Sequence, residues 1–174
     1  MKLPLREQIY AAFFAIIIAG LSQLTIPLGL IPLTGQTFAV GLAVTFLGMR
    51  TGTMSILIYL LLGLIGLPVF AGGASGIGVL FGPTGGYLIG FIFNGLLTGK
   101  LLESGRAGYV RGMLANIAGA LATLFFGTLW LKWSTAMSWT AAINGGFVLF
   151  LLPGVIKAIA AAYLGIFLRK RLQR

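Results

Sequence analysis

Charged side chains divide this 174-residue chain into long uninterrupted apolar runs, and that division constrains its fold more than any motif does. Charge-free stretches cover residues 8–49, 51–99, 112–131 and 133–156, or 42, 49, 20 and 24 residues. A bilayer core takes about 20 helical residues, so these stretches hold about two, two, one and one crossings, the last carried past Lys157 to Leu168. A closed β-barrel is the other way to span a bilayer, but barrel strands alternate polar and apolar positions. Runs such as 11–21 and 54–67 are apolar on all sides. With 59% hydrophobic residues, 8% charged and a mean hydropathy of +1.06, the chain lies far outside the composition of soluble domains. The sequence predicts an all-α integral membrane protein, one domain over residues 1–174 with six transmembrane helices.

The predicted helices cover residues 6–26, 38–48, 53–67, 85–102, 111–131 and 141–168. The second and third are short enough that a re-entrant pair competes with two crossings, and Arg50 between them favours two crossings. With a cytoplasmic N-terminus, the inner segments carry ten basic residues: Lys2, Arg6, Arg50, Lys100, Arg106, Arg111, Arg169, Lys170, Arg171 and Arg174. The outer segments carry Lys132 alone, and Lys157 lies within the sixth helix. That asymmetry orients both termini to the cytoplasm. The formal charge of +10 thus faces anionic lipid. No nucleic-acid surface is expected, because the basic residues are scattered over loop ends. The apolar run behind Lys2 and Arg6 imitates a signal peptide, but the spans that follow mark it as an uncleaved first helix.

Several chemistries are excluded by composition. The chain has no His, Cys or Asp, and its carboxylates are Glu7 and Glu103. Zinc, haem and iron–sulfur sites lack ligands, and His-based triads and paired-carboxylate catalysis lack their groups. The chain is read as no enzyme, and no metal or cofactor is expected. The segment GLLTGK at 95–100 is one residue short of a phosphate-binding loop and lies in an apolar helix. The segment GASGIG at 73–78 has neither dinucleotide-binding spacing nor a preceding strand.

Lys157 is the most informative single residue. Eleven residues separate it from Arg169, or roughly 16 Å at helical rise, so its ammonium has a long way to reach water. Intramembrane lysines are costly and mark functional sites by default. A ligand carboxylate would neutralise it; the structural alternative is a lysine bonded to backbone carbonyls or deprotonated. Pro153 and Gly154 lie one turn upstream, where a kink opens space.

The two long outer connections, PLGLIPLTGQT at 27–37 and PVFAGGASGIGVLFGPT at 68–84, are uncharged, rich in Gly and Pro, and apolar enough to lie over the bundle. They supply Thr34, Gln36, Ser75 and Thr84 as candidate ligand contacts. Tyr87, Phe91 and Asn94 share one helical face. Amides suit a ligand with a cyclic urea or amide, although any one of them alone is better explained as interhelical glue. Asn116 and Asn144 are weaker candidates. Ala11, Ala15 and Ala19 place a small residue at every fourth position of the first helix, which lets an internal neighbour or an external partner approach closely.

The segments LTIPLGLIPLTGQTFA (24–39) and GLIGLPVFAGGASGIGVLFGPTGGYLIGF (63–91) resemble the BioY family, above all in GLPVFAGG and GPTGGYL-GF. The likeness extends to the PG…K element near residue 157 and the basic tail. The resemblance implies the biotin-specific membrane S component of an energy-coupling factor (ECF) transporter in a prokaryotic cell membrane. It implies a transmembrane T component and two ATP-binding-cassette subunits as partners, and the bilayer as the chain's solvent. It carries the binding role to Gln36, the 82–87 segment and Lys157, and contact with the T component to Ala11, Ala15 and Ala19. One departure stands out. The family commonly shows Pro-Gly-Asp, two apolar residues and Lys; here residues 153–157 read Pro-Gly-Val-Ile-Lys, one residue shorter and without the acid. The alternatives are an S component for another small carboxylated or amide-bearing vitamin, a solitary biotin transporter, and a structural subunit.

Overall fold

The structure, a computed structural model, describes residues 4–105 and 108–172. Lys2, Arg106 and Arg174 of the basic set lie outside the described residues. The helices are α1 (Leu5–Ser22), α2 (Gln36–Leu47), α3 (Met49–Leu64), α4 (Gly78–Phe81), α5 (Gly85–Glu103), α6 (Tyr109–Thr135), α7 (Trp139–Ile143) and α8 (Leu149–Leu172). A π-helical segment, Asn144–Val148, joins α7 to α8, so Trp139–Leu172 forms one long apolar span. Together with α1, α5 and α6 this gives four helices long and apolar enough to cross a membrane, with α2 and α3 shorter.

The α2–α3 junction departs from the expected boundaries for a local reason. Gly48 has φ +87°, a left-handed conformation that suits glycine, and it turns α2 into α3 with a single residue. The second helix therefore starts at Gln36 rather than 38, the third spans Met49–Leu64 rather than 53–67, and Arg50 falls inside the first turn of α3. Both carboxylates of the chain meet that turn. Glu103 Oε1 accepts from the Met49 N–H at 3.0 Å, and Glu7 Oε2 accepts from Thr51 Oγ1 at 3.2 Å. The N-terminal end of a helix favours negative charge, so both acids act as structural caps.

Glycine sets the distance between helices. A Cβ on Gly90 of α5 would stand 3.0 Å from the backbone of Thr123 on α6. On Gly119 it would collide with Thr98 and Asn94, and on Gly127 with the Tyr87 ring. Between these contacts Asn94 Nδ2 donates to Thr123 Oγ1 (3.1 Å) and Thr98 Oγ1 donates to Asn94 Oδ1 (3.0 Å). Asn116 of α6 donates to Thr45 Oγ1 of α2 at 2.8 Å. In lipid such close backbone approach and interhelical hydrogen bonds replace the hydrophobic drive that holds a soluble bundle together.

The alanine stripe on α1 faces inward. Ala11 and Ala15 are fully buried within the chain and Ala19 is half-buried, so the stripe packs on the chain's own helices. This corrects the expectation of a partner surface for Ala11 and Ala15, which have no exposed area left to offer, whereas Ala19 keeps part of its surface exposed. The exposed face of α1 is instead carried by Ile9, Ala12, Phe13, Ile16 and Gly20. Spacing alone showed a close approach without showing to what.

The outer connections are folded against the bundle. Thr25–Ile26 and Leu33–Thr34 form a two-residue antiparallel ladder, β1 and β2, with Thr25 opposite Thr34 and Ile26 opposite Leu33. The second connection holds a 3₁₀ turn, Ala71–Gly73, and α4. It is pinned at both ends: Ser22 Oγ donates to the Val69 carbonyl (2.5 Å) and Gln23 Nε2 to that of Phe70 (3.1 Å), while Trp130 Nε1 donates to that of Gly82 (3.0 Å).

Gly119→Val tests the packing of α5 on α6. Its branched side chain should push Asn94 and Thr98 aside and destabilise the detergent-solubilised protein by about 2 kcal/mol. Thermal unfolding would show a lowered midpoint; an unchanged midpoint would contradict close packing at this crossing.

Candidate ligand-binding site

The two folded connections roof a cavity of about 380 Å³. Ile31, Pro32, Leu33 and Thr34 form one side of the roof; Phe70, Ala71, Ala74, Val79, Gly82, Pro83 and Thr84 form the other. The walls come from α2 (Gln36, Thr37), α5 (Tyr87, Leu88, Phe91), α6 (Ala120, Thr123, Leu124) and α8 (Phe150, Gly154, Lys157). The lining is mostly apolar with a few convergent polar groups, and the volume falls in the range of about 300–1,000 Å³ usual for small-molecule sites.

The polar groups are organised around Thr34. Its backbone carbonyl accepts from Lys157 Nζ at 2.9 Å, and its hydroxyl donates to Gln36 Oε1 at 2.8 Å. Gln36 Nε2 in turn donates to Tyr59 Oη at 2.5 Å. The Tyr59 ring is fully buried and meets Phe70 edge-on, with centroids 5.6 Å apart. One chain of contacts thus runs from α8 through the β2 strand and the first turn of α2 to α3. It leaves Gln36 with a free N–H and an acceptor lone pair, and Lys157 with two further N–H donors.

Lys157 is half-buried, and among the described residues it donates to a neutral carbonyl. Glu7 and Glu103 bond at the N-terminus of α3, so neither of the chain's carboxylates serves this ammonium. A cation held in an apolar bundle without a counter-ion among the described residues is a ready partner for an anionic ligand. Tyr87 donates from Oη to the Gly146 carbonyl at 2.7 Å, closing α5 onto the π segment.

Of the residues singled out from sequence, Lys157, Gln36, Thr34, Thr84 and Tyr87 come together on this cavity. Ser75 and Asn94 do not. Ser75 is exposed between the 3₁₀ turn and α4, outside the lining. Asn94 continues the face of Tyr87 and Phe91 one turn further along α5, where its amide is engaged by Thr123 and Thr98. Asn116 is likewise engaged by Thr45 and the Gly112 carbonyl. Three polar residues escaped the sequence reading: Thr123 on the α6 wall, Thr37 and Tyr59. Thr37, one residue after Gln36, places a buried hydroxyl with no partner among the described residues on the cavity wall. Tyr59 orients Gln36 from behind; a tyrosine inside an apolar run carries no signature of that role.

The Pro-Gly-Val-Ile-Lys element presents Gly154 to the cavity, whereas Val155 is not among the lining residues. Gly154 and Lys157 are three residues apart and share a helical face.

Comparison with known proteins agrees with this geometry. The BioY family model matches residues 1–174. The biotin transporter BioY2 of Lactococcus lactis subsp. cremoris (strain MG1363) is 47% identical over 161 residues, covering 92% of this chain and 88% of that protein. The biotin transporter BioY of Thermotoga maritima is 37% identical over 166 residues, covering 95% and 97%. A crystal structure at 2.1 Å of the S-component for biotin from an ECF-type ABC transporter superposes with a TM-score of 0.88 at 29% identity, covering 95% of this chain and 91% of that one.

Asn94→Leu separates the two uses of buried amides. It should lower thermal stability by about 1 kcal/mol through the lost α5–α6 bonds and leave ligand affinity within about twofold. A large loss of affinity without loss of stability would return Asn94 to the site.

Proposed function

We propose that this chain, which belongs to the BioY family, captures biotin as the membrane S component of an ECF-type transporter. The observation that carries this reading is Lys157: an intramembrane ammonium on the wall of an apolar cavity, bonded to a neutral carbonyl. Biotin supplies the complement. Its carboxylate replaces the Thr34 carbonyl as partner of Lys157. Its ureido group takes the free N–H and lone pair of Gln36 and the unpaired hydroxyl of Thr37, with Thr84 and Tyr87 at hand. Its carbon skeleton fills the space between Phe70, Phe91, Leu124 and Phe150.

The chain crosses the cell membrane of a prokaryote six times in this reading, with α2 and α3 as two short crossings and both termini in the cytoplasm. Basic residues support that orientation: Arg6, Arg50, Lys100, Arg111, Arg169, Lys170 and Arg171 lie at the helix ends opposite the roofed cavity. ATP is hydrolysed by two ATP-binding-cassette subunits, coupled through a T component. The resemblance of the whole chain to an ECF S component supports those partners. The match to a family of transporters supports a transport role rather than a catalytic one.

A calorimetric titration of the purified, detergent-solubilised chain with biotin tests the ligand. Saturable one-site binding is expected; no binding by a folded, ligand-free protein would move the reading to another small carboxylated vitamin. Lys157→Ala should cost about 2–5 kcal/mol of biotin affinity, roughly thirtyfold or more in Kd, and change binding of neutral biotinamide far less. Equal losses for acid and amide would refute the charge pair. Membrane-impermeant labelling of single cysteines checks the orientation: a probe at residue 75 should react from outside and one at residue 50 should not.

A further inference from the structure

Gly154 differs from the other glycines of the bundle. Every other buried glycine inside a described helix is a packing glycine, whose added Cβ would come within 3.0 Å of a neighbouring atom. At Gly154 the added Cβ would meet nothing nearer than Leu124 Cδ1 at 3.9 Å. The residue is nevertheless buried, and it lines the cavity beside Lys157. Close helix packing therefore does not account for a glycine here. Conformation does not account for it either, since Gly154 sits within α8 and has no positive φ. Glycine weakens a helix interior relative to alanine, and here it directly follows Pro153, a second residue unfavourable in a helix.

We propose that Gly154 is a specificity-determining residue: by withholding a side chain it lets the ligand's ring system lie against bare α8 backbone, one turn from Lys157. The inference rests on the biotin reading above and names which wall of the cavity fits which part of the ligand. A fused bicyclic ring is rigid and needs a flat surface, whereas the flexible pentanoate arm can bend around an added methyl group. The α8 wall supplies that surface: a backbone patch without a Cβ, free space in front of it, and the charge-bearing side chain on the same face. The neighbouring Phe150 and Leu124 bound the same space and limit its width.

The test compares the full-length wild type with Gly154→Ala and Gly154→Val, each titrated with biotin and with desthiobiotin, which lacks the second ring. Thermal unfolding of each variant is followed in parallel. Alanine should weaken biotin binding about tenfold and valine more than a hundredfold, from overfilling a matched site. Unfolding midpoints should stay at or above the wild-type value, and desthiobiotin should lose less affinity than biotin. If the wild type binds biotin and both variants stay within twofold of it, the inference is overturned and the biotin reading stands. Equal losses for the two ligands would also overturn it, because a distorted helix would weaken both alike. If the wild type binds neither ligand, the biotin reading fails and this inference falls with it. Should the valine variant not fold, the alanine variant decides the matter, since a single methyl group fits the 3.9 Å clearance.

Discussion

The contact between Lys157 Nζ and the Thr34 carbonyl is the interaction on which the rest of the site depends. An ammonium inside an apolar bundle needs oxygen around it, and this chain places none of its carboxylates there. Glu7 and Glu103 are held at the turn that begins α3, where the helix end favours them. The ammonium donates instead to a backbone carbonyl, and that bond ties the first connection to α8. The β1–β2 ladder presents that carbonyl, and the Thr34 hydroxyl passes the constraint to Gln36 and Tyr59. A carbonyl is a weaker partner for a cation than a carboxylate is. The same lysine that shapes the roof is thus the group an anionic ligand would claim.

The cavity exists because helix packing is uneven. Along α5 and α6, glycines on both helices bring the backbones together, and Asn94, Thr98 and Thr123 satisfy one another across the seam. Along α8 the packing is looser on the cavity side: a π-helical turn leads into the helix, Pro153 interrupts its hydrogen-bond ladder, and Gly154 leaves room that even an added Cβ would not overfill. One wall is a rigid seam and the other is open. Phe70, Phe91 and Phe150 line the space between them, so the interior is mostly apolar, with Thr34, Gln36, Thr37 and Lys157 among its polar groups.

Much of this was legible in the sequence because lipid leaves few choices. Four charge-free stretches set the helix content, and a lysine eleven residues from the basic end of its helix had to be either functional or rescued by backbone. The uncharged, glycine-rich connections were readable as a roof, since exposure to bulk water would suit polar residues better. Spacing could not say which way the Ala11–Ala15 stripe faces, because small residues admit an internal neighbour as readily as a foreign one; burial decides for the internal neighbour. Nor could it separate Tyr87 from Asn94. They share a face of α5, but the cavity ends at the level of Phe91 and the next turn enters the α5–α6 seam. Thr37 and Tyr59 were missed for a third reason: a threonine hydroxyl and a buried phenol gain meaning only from what stands opposite them.

The central claim is that the Lys157 ammonium leaves a backbone carbonyl for the carboxylate of its ligand. A crystal structure of the biotin complex measures this directly. A carboxylate oxygen is expected within hydrogen-bonding distance of Lys157 Nζ, with the ureido group beside Gln36 and Thr37. A carboxylate directed away from Lys157, with Nζ still on the Thr34 carbonyl, would contradict it.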